Sequence, residues 1–194
     1  MSNIVIGVLA LQGDFSKHLD KLSHLGITTQ EIRYPEQLDT CDGLIIPGGE
    51  STAFLHVMEH SEIQEKIKEF SLSKPIYGTC AGLILMADKI EGKEQDTLHI
   101  LNITIERNAY GSQQESFTSH VQIHIENHKG QIPALFIRAP RIKSYGHNVK
   151  VLGTHNHEPV LVQQGRHLGG TFHPELTQDD TIHKYFIHLI QKNN

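Results

Sequence analysis

The chain has 194 residues, with 17 Lys and Arg against 22 Asp and Glu, for a net charge of −5. That length suits a single domain spanning residues 1–194 with a sizeable core, and with no basic run or aromatic-interleaved basic patch a nucleic-acid partner is not expected. No apolar run approaches the roughly 20 residues that cross a bilayer. Residues 1–3 lead into strand-like sequence without a basic leader, and two cysteines are too few for a disulfide framework, so a cytoplasmic protein without membrane attachment is expected.

Residues 4–11 form a near-continuous apolar run, the mark of a strand buried on both faces of a parallel sheet. Asp14 can then N-cap a helix with Phe15, Leu19, Leu22 and Leu25 at helical spacing and Gly26 as its stop. Residues 27–33 read as a second strand and 42–46 as a third, which ends at the turn Pro47-Gly48-Gly49-Glu50-Ser51-Thr52. A helix with Phe54, Leu55 and Met58 inward should follow. Ser61-Glu62-Ile63-Gln64 has the form of a capping box and predicts another helix, with Ile63, Ile67 and Phe70 on one face. Residues 75–77 supply the next strand. Strand and helix alternate throughout this half, which predicts a parallel α/β sheet with right-handed crossovers.

The second half changes character. Residues 103–106 and 121–126 alternate apolar and polar, which predicts half-buried strands added antiparallel to the same sheet. Further short strands fit 135–137, 149–152, 160–162 and 168–172. The closing helix carries Ile182, Tyr185, Phe186, Leu189 and Ile190 on one stripe.

Between the apolar runs 75–77 and 83–86 stands Gly78-Thr79-Cys80-Ala81-Gly82. A nucleophile between glycines, at the junction of strand and helix, reads as an elbow: the reactive side chain sits on strained backbone and the glycines let neighbouring backbone close on it. A helix beginning at the sulfur aims free N–H groups and its positive dipole end at it, which favours the thiolate. A buried structural cysteine is the alternative reading of these five residues alone.

A catalytic cysteine needs a base and a group to orient that base. Phe172-His173-Pro174-Glu175 offers both after a predicted strand, and in an open α/β sheet sites assemble at the carboxyl ends of strands. Pro174 favours extended backbone at His173, from which Glu175, two residues on, points the same way. Acyl chemistry also needs an oxyanion hole; the N–H of Ala81 and one from Gly48-Gly49, at the end of a neighbouring strand, are suited to it. Fifteen histidines raise the question of a metal, but the closest pair is His155-x-His157, and singly spaced residues such as His18, His24, His56, His60, His183 and His188 are expected on polar surface faces. No metal is expected.

Gly78-Thr79-Cys80-Ala81-Gly82, Pro47-Gly48-Gly49-Glu50-Ser51-Thr52 and Phe172-His173-Pro174-Glu175-Leu176, in this order and spacing, resemble the class I (triad) glutamine amidotransferases. Among these the chain is similar to the glutaminase subunits of pyridoxal 5′-phosphate synthase. Residues 7–13, Glu106-Arg107-Asn108 and Phe136-Ile137-Arg138-Ala139-Pro140 extend the likeness to essentially the whole chain. The resemblance implies an open mixed, mainly parallel sheet flanked by helices, of flavodoxin-like type. It implies hydrolysis of L-glutamine by Cys80 as nucleophile, His173 as base and acid and Glu175 as its orienter. Glutamine would be held by Gly48, Gly49, Glu50, Arg107, Ile137 and Arg138, with Ala81 and Gly49 as the oxyanion hole. Ammonia would pass to a TIM-barrel, PdxS-like synthase subunit that makes pyridoxal 5′-phosphate, and no cofactor is implied. The chain departs from the family pattern at Ala53-Phe54-Leu55-His56, which lacks the usual basic pair, and across residues 109–112. Two other readings are a glutaminase subunit of another complex, such as imidazole glycerol phosphate synthase, and a non-enzymatic regulatory module on the same fold.

Overall fold

In the computed structural model, which describes residues 4–11, 13–49, 58, 61–94, 96–107, 116–126 and 128–193, the apolar run at the N-terminus becomes β1 (Val5–Leu9) near the middle of one half of a nine-stranded sheet. β2 (Thr28–Ile32) pairs with it on one side and β3 (Gly43–Ile46) on the other; β4 (Ile76–Thr79) follows β3, all in parallel. The fifth parallel neighbour comes from far along the chain: β12 (His167–Gly170) lies beside β4, with Gly170 opposite Thr79. From β12 the sheet continues antiparallel through β11 (Glu158–Gln164), β10 (Lys150–His155), β7 (Ser116–Ile125) and β8 (His128–Ile137).

Side chains alternate across the parallel strands, so both faces must be covered. Ile6, Val8, Ile45 and Tyr77 point to the face packed by α1 (Phe15–His24) and the last long helix (Thr181–Asn193), which supplies Ile182, Phe186 and Ile190. Leu9, Leu44, Ile46 and Ile76 point to the other, where α2 (Glu62–Ser71) contributes Ile63, Ile67 and Phe70 and α3 (Ala81–Met86) contributes Leu83 and Leu85. The last helix is therefore α4. Ser61 caps α2 as its sequence predicts, accepting from the Gln64 N–H at 3.2 Å, while the Gln64 amide nitrogen reaches Asp96 at 2.9 Å. Asp14 occupies the N-cap position of α1 but makes no side-chain cap hydrogen bond. Gly26 ends that helix region at φ +73°, a conformation glycine adopts without penalty. Of the helix expected after residue 50, only Met58 is described; it is helical and fully buried.

Two expectations are corrected. The strand expected at 103–106 is real but does not join the main sheet. As β6 (Leu101–Glu106) it lies between β5 (Ala87–Ile90), its parallel neighbour, and β9 (Arg141–Tyr145), antiparallel, in a separate three-stranded sheet. Alternation reports one buried face, here Ile103 and Ile105, but not which sheet supplies the partners. His18 and His183, expected at the surface, are both 0% exposed. Each lies on the apolar stripe of its helix, His18 between Phe15 and Leu22 and His183 beside Phe186 and Ile190.

Candidate active site

Four chain segments leave the carboxyl edge of the parallel strands together: the turn after β1 with Gly13, the turn after β3 with Pro47, Gly48 and Gly49, the β4–α3 junction at Cys80, and the segment after β12 with His173. β1 is flanked by β2 on one side and β3 on the other, so the strand order reverses there, where an open α/β sheet leaves a crevice.

Cys80 sits on strained backbone at φ +48°, ψ −104°. A side chain rarely adopts positive φ unless its surroundings enforce it, and several contacts do so. The Cys80 N–H donates to the Gly170 carbonyl on β12 at 2.9 Å, and its own carbonyl accepts from the Ile84 N–H at 3.2 Å. The flanking glycines are required by close packing. A Cβ at Gly82 would stand 2.0 Å from the Ile46 carbonyl oxygen, and one at Gly78 would stand 2.7 Å from Gly82 carbonyl carbon. Ala81 opens α3, so its N–H is one that no helical carbonyl can satisfy.

His173 and Glu175 come from the segment after β12, and the backbone there is not extended as the sequence suggests. Residues Pro174–Leu176 form a 3₁₀ turn, with His173 at φ −108°, ψ 84°. The turn still brings Glu175 back onto the ring: Nδ1 and Oε1 are 2.7 Å apart, with both residues buried. His173 is held from behind by its N–H, which donates to the Leu135 carbonyl of β8 at 2.8 Å. The Cys80 thiol lies 3.7 Å from the Ile137 carbonyl oxygen.

Burial alone would lower the pKa of His173, but hydrogen bonds to Cys80 and Glu175 and the charge of Glu175 outweigh it and raise the ring to about 10. Burial likewise works against ionised Glu175, yet His18 and His173 hold it at about 2. At neutral pH the pair is therefore an imidazolium on a carboxylate, facing a sulfur.

Gly48 lies against both catalytic candidates. A Cβ there would be 2.4 Å from His173 Cε1 and 3.1 Å from Cys80 Cβ, so only glycine allows the turn after β3 to approach this closely. Ile137 ends β8, and Arg138, the next residue, has φ +44°. Arg107 directly follows β6, the middle strand of the small sheet. Glu50 lies outside the described residues, as do the departures at 53–56 and 109–112.

Two residues near this edge were not read from the sequence as part of it. Asp14 brings a carboxylate oxygen so close that it and single atoms of His173 and Glu175 all lie within 4.8 Å of one another. Among the described residues this is the one such group able to hold a cation, but His173 and Glu175 are already bonded to each other, and a metal would compete with that bond. His18 stands behind Glu175, with Nε2 3.4 Å from Oε2. The apolar stripe on α1 carried the signal for its burial.

The chain matches the model of the SNO glutamine amidotransferase family over residues 8–192. It is 47% identical over 187 residues to a protein of Thermotoga sp. (strain RQ2) named pyridoxal 5′-phosphate synthase subunit PdxT, covering 96% of this chain and 99% of the relative. It is 46% identical, with the same coverage, to the protein of that name from Thermotoga maritima. Among solved structures, a crystal structure described as a glutamine amidotransferase superposes with a TM-score of 0.89 at 41% identity, covering 96% of this chain and 98% of that one.

Proposed function

The chain belongs to the SNO glutamine amidotransferase family, and from that premise we propose that it is the glutaminase subunit of a pyridoxal 5′-phosphate synthase, hydrolysing L-glutamine to L-glutamate and ammonia. The observation that carries the chemistry is the 2.7 Å His173–Glu175 bond set against a cysteine at φ +48°.

Cys80 sulfur attacks the side-chain amide carbon. The negative charge that develops on the amide oxygen is met by N–H groups of Ala81 and Gly49. His173 gives its proton to the departing nitrogen, so the C–N bond breaks as ammonia leaves and a glutamyl thioester remains. Water then attacks the thioester, losing a proton to His173; the C–S bond breaks, the sulfur regains its starting state and glutamate departs. Glu175 keeps the imidazole oriented and stabilises its charged form through both steps. Gly48, Gly49, Glu50, Arg107, Ile137 and Arg138 hold the substrate, with guanidinium matched to α-carboxylate and carboxylate or carbonyl groups to α-ammonium.

The ammonia acceptor is a TIM-barrel synthase subunit that docks over the carboxyl edge and receives ammonia without release to water. Gly48–Gly49 can turn its peptide in either sense at little steric cost, and only one sense offers an N–H to the oxyanion. Partner docking that selects this sense raises turnover by roughly a hundred- to a thousandfold, the range of one oxyanion donor. The test is glutamate release by the purified chain as a synthase subunit is titrated in. The expected result is a low basal rate that climbs to a plateau at a fixed stoichiometry. Full activity without the partner would overturn the coupling, and no glutamate release with it would overturn the glutaminase reading.

A further inference from the structure

Behind Glu175 lies a second pair of imidazoles that the chemistry above does not use. His18 on α1 and His183 on α4 are fully buried, with ring centroids 5.3 Å apart and planes tilted by 48°. His18 Nε2 is 3.4 Å from Glu175 Oε2, the oxygen His173 leaves free, and His18 Nδ1 is 3.1 Å from His183 Nε2. The five side chains thus form one file from the sheet edge inward: Cys80, His173, Glu175, His18, His183.

Donors and acceptors can be assigned along the file in two ways. If His18 donates from Nδ1 to His183, its Nε2 presents a bare lone pair to the carboxylate, and two acceptors face each other in a buried site. If His183 donates from Nε2 to His18 Nδ1, then His18 carries its proton on Nε2 and points it at Glu175. The Thr79 hydroxyl, 3.4 Å from Nε2, can serve either assignment, as donor in the first and acceptor in the second, but only the second avoids setting a bare Nε2 lone pair against the Glu175 carboxylate. It leaves the buried His183 Nδ1, which has no hydrogen-bond partner, as a bare acceptor rather than an unsatisfied N–H.

We infer that His18 is a positioning residue of the glutaminase site: its Nε2–H faces the second oxygen of Glu175 and attracts it, and His183 fixes the tautomer that makes this possible. The inference rests on the proposed function. It explains how Glu175 keeps one orientation. Oε1 is hydrogen-bonded to His173, while Oε2 makes no hydrogen bond and is faced by His18 Nε2 at 3.4 Å; attraction to that N–H in a buried site favours one carboxylate orientation and so keeps the His173 ring aimed at the sulfur.

For this role His18 is best uncharged, since an imidazolium would cancel the carboxylate charge that His173 needs. The groups that face it set that balance. Burial lowers its pKa, His173 adds to the lowering, and Glu175 and Asp14 oppose it without prevailing. Thr79 Oγ1, 3.4 Å from Nε2, is neutral. On α4, burial is the first cause, and His18 and Lys21 add to it, of a His183 pKa of about 3, against Glu175 and Asp180.

The experiment compares His18→Leu, which keeps apolar bulk and removes the donor, with His18→Gln, whose amide nitrogen can take the place of Nε2–H. Glutaminase kinetics are measured on the full chain with its synthase partner. His18→Leu is expected to lower kcat about 30-fold with KM within about twofold, and to shift the alkaline limb of kcat toward neutral pH, because a loosened Glu175 supports the His173 cation less well. His18→Gln is expected to recover kcat to within about threefold of the parent. A packing role predicts the reverse order, with activity following melting temperature and leucine better tolerated than glutamine in an apolar wall. The second readout, alkylation of Cys80 by iodoacetamide without substrate, is expected to slow about tenfold in His18→Leu alone. If the parent hydrolyses no glutamine but the alkylation order holds, the glutaminase reading falls and the positioning role stands. If the parent is active and His18→Leu matches it in both readouts, the positioning role is overturned. Should His18→Leu fail to fold, His183→Leu decides: a severalfold loss of kcat, restored by His183→Gln, supports the role, and unchanged kcat overturns it.

Discussion

The two cysteines sit at opposite ends of adjacent parallel strands, and both are buried: Cys41, 1% exposed, just before β3, and Cys80, 6% exposed, just after β4. Their surroundings differ in kind. At the amino edge Cys41 Sγ has the Gln37 carbonyl at 3.5 Å and the Gln30 side chain at 3.9 Å, with the Asp42 carboxylate close by. Burial and that carboxylate push its thiol up to about 11. At the carboxyl edge Cys80 stands on positive-φ backbone against an imidazole that carries a proton at neutral pH. Both are buried beside strand ends; what separates the two thiols is which end of the strands each occupies and what charge faces it, and the proposed role of Cys80 as nucleophile rests on that difference.

Removing each sulfur gives the sharpest contrast. Cys80→Ala is expected to lower glutamine hydrolysis at least ~10⁴-fold, the scale of losing a covalent nucleophile, while Cys41→Ala stays within about twofold in kcat. Iodoacetamide at pH 7 should label Cys80 at least ~100-fold faster, since burial pushes the Cys41 thiol up to about 11 and no imidazolium faces it. Mass mapping of the alkylated chain checks this, and comparable labelling of Cys41 would erase the distinction between the two edges.

Gly48→Ala tests the carboxyl edge without removing a reacting group. The new Cβ meets His173 Cε1 at 2.4 Å, so the ring or the turn must shift. A loss of kcat of about 100-fold is expected, the cost of a misaligned proton carrier and oxyanion donor. Gly130→Ala is the control: its nearest neighbour would be 3.6 Å away, and kcat should hold within about twofold.

The smallest effect compares the edges by acid stability. His183 is lowered to about 3 and His167, at the amino end of β12, to about 4, both chiefly by burial. A histidine kept neutral by the fold costs no stability above its unfolded pKa near 6.5. Below it the unfolded chain takes up the proton first, so stability falls as pH drops from about 6.5 toward the folded values. Glu175 adds a loss only from about 4.5 down to about 2, and His173 loses its contribution in the other direction, as pH rises from about 6.5 to about 10. Between pH 7 and 4.5 a loss of about 5 kcal/mol is expected from the two rings, or about 10–20 °C in Tm at ~2–4 °C per kcal/mol. Thermal melts at the two pH values check it. His183→Leu and His167→Leu should each recover part of the loss, and an unchanged Tm in the parent would show that these rings are not held neutral.

Much of the fold is written in local pattern. The run at 4–11 states its burial on both faces, and the stripe from Ile182 to Ile190 states its helix. At the site, the elbow around Cys80 is legible because glycines at 78 and 82 have no other reason to flank a cysteine so tightly. The reach of Glu175 to His173 is legible from their spacing, although the turn that delivers it is 3₁₀ rather than extended. What stayed hidden is non-local. β5 and β9 carry charged, partly exposed residues whose pairing with β6 depends on where the chain returns. His18 and His183 are 165 positions apart and become neighbours only when α1 and α4 cover the same face; histidine on an apolar stripe signals burial but not what it will meet there.

The turn after β1 has a mechanical consequence. Gly13, at φ +83°, presses its α-carbon so hard on the next turn that a Cβ would stand 1.8 Å from the Gly48 carbonyl oxygen. Gly48 in turn bears on the His173 ring. The loop after β1 and the imidazole are thus linked like gear teeth, backbone to backbone to ring, with no side chain between to absorb play. A load placed on the outer loop, whether by a docking protein or by a bulkier residue at position 13, is delivered to the His173 ring without having to touch it.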